Sequence, residues 1–111
     1  MRIAIRLQIA ALLLFVSAAT TFGDIPIRFA KGRTSATVSG KIAAGGRVCY
    51  FAGARRGQTL TADVSSRSGK VQIFESGDTR YSYVIEIGGD QSVCVDNLAR
   101  ATTYTLSVSI K

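Results

Sequence analysis

From residue 25 to the C-terminus, apolar and polar residues alternate in short runs, and most runs stop at a turn containing glycine. The last run is the clearest: Tyr104, Leu106, Val108 and Ile110 are separated by Thr105, Ser107 and Ser109. A period of two sends successive side chains to opposite faces of an extended strand, whereas a helix needs a repeat near 3.6 residues. No helical periodicity is visible after residue 23. A chain patterned in this way buries one face of each strand and exposes the other.

The runs predict about eight strands at the regular short spacing of all-β sandwiches and barrels. They cover residues 25–30, 34–42, 47–54, 59–65, 70–75, 81–87, 92–96 and 102–110. The turns between them are Lys31-Gly32-Arg33, Ala43 to Gly46, Arg55 to Gln58, Arg67-Ser68-Gly69, Gly77-Asp78, Gly88-Gly89-Asp90 and the loop Asn97 to Ala101. Pro26 suits the start of an edge strand, and Gly40 marks a possible bulge in the second run. In the third run Val48, Tyr50 and Ala52 share one face, and Cys49 and Phe51 share the other. Tyr81, Tyr83, Ile85 and Ile87 define one face of the sixth. The expected fold is all-β: a small antiparallel, jelly-roll-like β-sandwich forming one domain over residues 24–111. Two inner faces can share the alternating aliphatic residues. No repeat or linker marks a second domain.

Residues 1–23 read as a cleaved signal peptide. Arg2 and Arg6 form a positive head, Ile9 to Val16 an apolar middle, and the small residues of Ser17 to Gly23 an exit. The apolar run is too short for a spanning helix, which needs about 20 residues. Cleavage after Ala19 or after Gly23 satisfies the small-residue rule, and no cysteine lies nearby to carry a lipid. The mature protein is therefore expected to be periplasmic or secreted and not membrane-spanning. Export to an oxidising compartment, together with an even cysteine count, predicts a disulfide between Cys49 and Cys94 that holds the sandwich shut. Two buried free thiols are the alternative.

Loss of Arg2 and Arg6 with the leader leaves twelve basic against seven acidic residues, a net charge of +5. That balance favours anionic partners such as envelope glycans, and export ranks nucleic acid last. The basic residues are scattered and not clustered, so solubility is the more ordinary account of them.

Catalytic chemistry is nearly absent. The chain contains no histidine. Ser-His-Asp and Cys-His nucleophile systems and the commonest transition-metal ligand are thereby excluded. No glycine-rich loop leads from a strand into a helix. Glu75 and Glu86 read as solvated strand residues, and Asp78, Asp90 and Asp96 lack calcium-loop spacing. The expected protein is not an enzyme and uses no metal or cofactor. Tyr81 and Tyr83 suit either cross-strand packing or an exposed stacking platform. Arg55 and Arg56 suit either a solvated turn or a grip on an acidic partner.

One stretch goes beyond composition. Ile27, Phe29, Lys31-Gly32, Thr34-Ser35-Ala36 and Ser39-Gly40-Lys41-Ile42 are followed by Tyr50, by Ala54-Arg55-Arg56-Gly57-Gln58, and at the end by Tyr104 to Val108. This order resembles the periplasmic inhibitors of goose-type lysozyme, whose β-sandwich resembles bacterial pre-peptidase C-terminal domains. The resemblance covers residues 25–65 well and the last strand loosely. It implies a non-enzymatic protein that binds a lysozyme-like hydrolase and occludes its cleft. Those inhibitors carry longer loops in the second half, including a Ser-Gly-x-Tyr segment, whereas Gly88 to Thr103 is short here and holds Cys94. No inhibitory residue carries over. On this reading Arg55, Arg56, Arg80 and Arg100 are candidate contacts to cleft carboxylates. The alternative is an envelope structural or anionic-polysaccharide-binding module, with Tyr81 and Tyr83 exposed together.

Overall fold

The computed structural model describes residues 24–111; the expected leader, residues 1–23, with its two expected cleavage positions, lies outside the described residues. Eight strands follow in chain order: β1 (Ile25–Pro26), β2 (Ser35–Ile42), β3 (Arg47–Ala54), β4 (Thr59–Ser66), β5 (Val71–Ile73), β6 (Arg80–Val84), β7 (Gly89–Asn97) and β8 (Thr102–Ile110). They form two four-stranded sheets, ordered β1-β3-β7-β5 and β2-β8-β4-β6. The alternation is realised as read. Leu60, Ala62 and Val64 of β4 and Tyr104, Leu106, Val108 and Ile110 of β8 point inward from one sheet. Tyr50 and Ala52 of β3 and Val93 and Val95 of β7 meet them from the other. Fully burying a Val, Leu or Ile side chain is worth about 1.5–3 kcal/mol, and this shared interior holds the sheets together.

Every strand pair is antiparallel except one. β1 runs parallel to β3, with Ile25 beside Tyr50 and Pro26 beside Phe51. The expected six-residue first strand is thus a two-residue one. The chain must leave the first sheet at the end where β3 finishes, because β2 begins there in the other sheet. That crossing uses Ile27 to Thr34, anchored by the Ile27 N–H donating to the Phe51 carbonyl at 2.8 Å.

Gly40 forms no bulge. The β2–β8 register is unbroken from Ser35–Ser109 to Ile42–Thr102. Glycine is needed at position 40 for another reason: a Cβ there would lie 3.2 Å from the Tyr104 hydroxyl oxygen. The Tyr104 ring fills the missing side-chain space and hydrogen-bonds the Tyr50 hydroxyl across the interior. Each hydroxyl so satisfies the other inside an apolar core. Ile87 also departs from expectation. β6 ends at Val84, Ile85 is buried, and Ile87 is 83% exposed, because the chain turns at residues 85–88 to enter β7. Gly89 and Asp90, expected in a turn, already pair with Ala54 and Gly53.

Cys49 and Cys94 are joined by a disulfide. The bond does not clamp one sheet to the other. The two residues face each other on neighbouring strands β3 and β7, with Cα atoms 4.0 Å apart. The Cys94 carbonyl accepts from Phe74 N–H at 2.8 Å, on the β5 side. Its N–H donates to Glu75 Oε1 at 2.9 Å, so Glu75 is held in place and not merely solvated. Cys49–Cys94 is therefore a non-hydrogen-bonded pair, the kind whose side chains approach most closely.

The bond spans 45 residues. Loop-closure entropy for that span gives about 4 kcal/mol of stabilisation. Urea denaturation of a Cys49→Ala/Cys94→Ala variant should show a loss of that order; an unchanged midpoint would refute it. Alkaline pH supplies a second test. Burial, and then the hydrogen bond with Tyr50, push the Tyr104 phenol well above its ordinary range. The folded protein therefore keeps this proton more tightly than the unfolded chain. Its stabilising effect is complete below the unfolded value of about 10 and declines as pH rises beyond it. Melting temperature should fall above that pH, and Tyr104→Phe should flatten this part of the curve. The same variant should lower stability at neutral pH by about 1–3 kcal/mol, because it strands the Tyr50 hydroxyl.

Candidate functional site

A buried polar side chain must be hydrogen-bonded, and in doing so it ties together the segments around it. Asn97, at the end of β7, is 2% exposed and is such a group. Its Nδ2 donates to the carbonyls of Arg100 at 2.7 Å and Ala43 at 3.1 Å, with a longer contact to Ile42 at 3.4 Å. Its Oδ1 accepts from Ala99 N–H at 3.1 Å, and its own N–H donates to the Gly46 carbonyl at 3.0 Å. The next residue, Leu98, donates its N–H to the Lys70 carbonyl at 3.0 Å. Three connections, at residues 43–46, 67–70 and 98–101, are thus fastened side by side at one end of the sandwich. The sequence marks Asn97 only as the start of a loop, since its partners lie about fifty residues away or across a turn.

This fastened end carries Lys41, Arg67, Lys70 and Arg100, all exposed. Asp96, next to Asn97 in the chain, is already engaged by Arg47 in a two-pronged pair, Nε–Oδ1 2.6 Å and Nη2–Oδ2 3.0 Å. The Arg47 guanidinium also lies over the Phe74 ring, 3.9 Å from its centre. Arg80–Asp63 is the other ion pair among the described residues, so the four end cations have no carboxylate partner there. A depression of about 380 Å³ lies between Lys41 and Arg67 and is floored by Ala101, Thr102 and Thr103. A second, of about 260 Å³, continues from Arg67 past Ser65, Ser66 and Thr105. Leu98 projects from the rim and is 64% exposed. The arrangement offers cationic donors, hydroxyls and one apolar knob on a rigid base. It can bind an acidic or hydroxyl-rich surface. Among the described residues no three His, Cys, Asp or Glu side chains converge, so Asp78, Asp90 and Asp96 do not form a cation site.

The arginines singled out from the sequence do not share a surface. Arg100 belongs to the Asn97 end. Arg55 and Arg56 occupy the β3–β4 turn at the opposite end, where Arg55 N–H donates to Gln58 Oε1 at 2.8 Å. Arg80 lies on the outer face of β6, with Nη1 3.1 Å from Asp63 Oδ1. Tyr81 and Tyr83 stack on each other, ring centres 5.0 Å apart and planes inclined by 30°. Both are half-buried and packed against the core from the inner face of β6. The Tyr83 hydroxyl donates to Gln91 Oε1 at 2.5 Å. Burial raises both phenol pKa values, with the Glu75 carboxylate adding to the effect. Lys41, Arg67, Lys70 and Leu98 were not singled out from the sequence. They become one group only when three distant loops meet.

No protein-family model matches the chain. No curated protein matches it in sequence. Solved structures do. Three are described as PliG, a periplasmic lysozyme inhibitor of g-type lysozyme. The protein from Aeromonas hydrophila is 22% identical, with a TM-score of 0.69, over 79% of this chain and 96% of its own. That from Salmonella Typhimurium is 22% identical, with a TM-score of 0.63, over 80% and 99%. A mutant of the Escherichia coli protein is 20% identical, with a TM-score of 0.63, over 79% and 97%. Over about four fifths of its length the chain shares the fold of these structures. The likeness reaches well beyond residues 25–65 and the last strand, where the sequence resemblance lay.

Replacing Asn97 by Ala should lower stability by about 1–3 kcal/mol, since buried carbonyls lose their donor. Amide exchange should accelerate at Ala99 and at other amides of the three fastened loops. Unaltered exchange there would show that the loops are rigid without Asn97.

Proposed function

We propose that the chain is an exported, periplasmic, non-enzymatic inhibitor of a lysozyme-type wall hydrolase. The supporting observation is its likeness to PliG structures over about four fifths of the chain, combined with an end of the sandwich that is fastened by Asn97 and free of unpaired carboxylates. Glycoside hydrolases work with a pair of cleft carboxylates. Guanidinium groups satisfy such carboxylates through paired hydrogen bonds. Arg67 and Arg100 are the arginines at the fastened end, and Leu98 supplies an apolar contact between them and the hydrolase. Because Asn97 has already ordered these loops, little conformational entropy is lost on docking. The mechanism is occlusion, with no covalent step. A net charge of +5 gives no long-range attraction to a basic hydrolase, so recognition depends on contact-range pairing.

A second reading, anionic-polysaccharide binding, draws on the same cations and on the threonine floor between Lys41 and Arg67. It gains nothing from Tyr81 and Tyr83, whose faces are occupied by each other and by the core. The two readings separate in one experiment. The mature protein should inhibit a goose-type lysozyme in a turbidity assay on wall fragments. Arg67→Ala and Arg100→Ala should each weaken inhibition about tenfold or more, as loss of a buried charged contact does. Arg55→Ala/Arg56→Ala, at the opposite end, should leave it unchanged. Absence of inhibition across lysozyme types, with salt-sensitive binding to wall polymer, would replace the first reading by the second.

A further inference from the structure

A single exposed apolar side chain is ordinary on a protein surface, but apolar groups accompanied by cations have the composition of an interfacial anchor. The end of the sandwich opposite Asn97 has that composition. The β6–β7 connection projects Ile87, which at 83% is the most exposed large apolar residue of those described. Val84, 60% exposed, precedes it at the end of β6. The connection is held in shape by Gln91. Its Nε2 donates to the carbonyls of Ile87 at 3.0 Å and Gly89 at 3.1 Å, and its Oε1 accepts from the Tyr83 hydroxyl.

The β3–β4 turn, with Arg55 and Arg56, lies against this tip. Ile85 N–H donates to the Gln58 carbonyl and Gly57 N–H to the Ile85 carbonyl, both at 2.8 Å. A Cβ at Gly88 would lie 3.4 Å from the backbone nitrogen of Arg56. Arg33 lines a crevice together with Gly53 and Gln58, and Lys111 exchanges both backbone hydrogen bonds with Thr59. With Lys31, two residues before Arg33, this end holds five exposed cations against the carboxylates of Glu86 and Asp90. None of the five belongs to an ion pair among the described residues.

We propose that this end docks on an anionic lipid surface, with Ile87 and Val84 seated at the boundary of headgroups and acyl chains. Arg55 and Arg56 contact lipid phosphates, and Arg33, Lys31 and Lys111 add attraction at closer range than a Debye length. Two features favour lipid over a protein cleft. The apolar tip projects and is small, and a fluid surface closes around such a tip without a complementary hole. The cations stand on separate connections, which matches phosphates spread over a plane better than one anionic pocket. Two aliphatic side chains and a few cations make a reversible attachment and not a permanent anchor. In this pose the Asn97-fastened loops point away from the lipid and stay accessible. The proposal does not depend on the inhibitor reading.

Flotation of the mature protein with mixed phosphatidylglycerol–phosphatidylcholine vesicles tests this, with pure phosphatidylcholine vesicles as the neutral arm. Binding to the anionic vesicles alone, weakened by salt, is expected. Val84→Ser/Ile87→Ser and Arg55→Ala/Arg56→Ala should each weaken it about tenfold, the first by removing the apolar insertion and the second by removing two phosphate contacts. All four residues are exposed, so circular dichroism should show the fold intact. Phe74→Ser, at an exposed apolar residue away from this end, should bind like the unmodified protein. The chain contains no tryptophan, so Ile87→Trp places a single reporter at the tip. Its emission should shift to the blue with anionic vesicles, and that of Phe74→Trp should not. An unshifted Ile87→Trp emission would overturn the proposal. So would equal binding to neutral vesicles, or vesicle binding that neither double variant weakens.

Discussion

Both sheets exist because each strand offers one apolar row and neither sheet can keep that row in water. Leu60, Val64, Leu106 and Val108 from one sheet close against Val71, Ile73, Val93 and Val95 from the other. The remaining features follow from this burial. The outer faces are released from packing duty and carry hydroxyl pairs instead, such as Thr37–Ser107, Ser39–Thr105 and Thr61–Ser82. Polar atoms that enter the interior must arrive already matched. The Tyr50 and Tyr104 hydroxyls match each other, and glycine at position 40 makes room for the ring that brings one of them there.

Burial in a domain of this size leaves a narrow margin of stability. The disulfide widens it from beside the inner cluster, of which neither cysteine is a member. It lies between adjacent strands of one sheet and acts chiefly by restricting the unfolded chain, so the interior need not be rearranged to accommodate it. Within the same sheet, β5 stops after three residues. The Cys94 N–H that it abandons is recovered by Glu75, and the departing chain crosses to β6 in the other sheet. A short strand, a carboxylate and a crossover so form one local solution to an unfinished ladder.

Binding surfaces are built from connections, and connections are ordered only when something fastens them. Asn97 does this at one end through five hydrogen-bond contacts that reach residues 42, 43, 46, 99 and 100. The opposite end, with Arg55, Arg56 and the exposed Ile87, has no fully buried polar side chain among the described residues. The two ends are fastened differently. One is a cationic rim tied by a fully buried side chain, and the other is held by backbone bonds and the half-buried Gln91. That asymmetry is why Arg100, and not Arg55 or Arg56, is the one proposed as a contact to the hydrolase, although the three look alike in the sequence.

Strand positions and inward faces were legible from the sequence because alternation is a local property. Residues 102–110 and 47–54 can be read as strands without knowing what lies beside them. The same reading went astray at Ile87, where the backbone turned before the pattern ended. The disulfide partners were legible by elimination, since Cys49 and Cys94 are the only cysteines. Their place within a single sheet was not, because it depends on β3 and β7 becoming neighbours. The parallel β1, the ring of Tyr104 over Gly40, and the grouping of Lys41, Arg67, Lys70 and Arg100 were hidden for the same reason. Each joins segments far apart in the chain. Sequence by itself determined which side of each strand is buried, since that is decided by hydrophobicity residue by residue. Only the tertiary structure decided which strands adjoin and which loops meet, since that depends on how two twisted sheets can close over one shared interior.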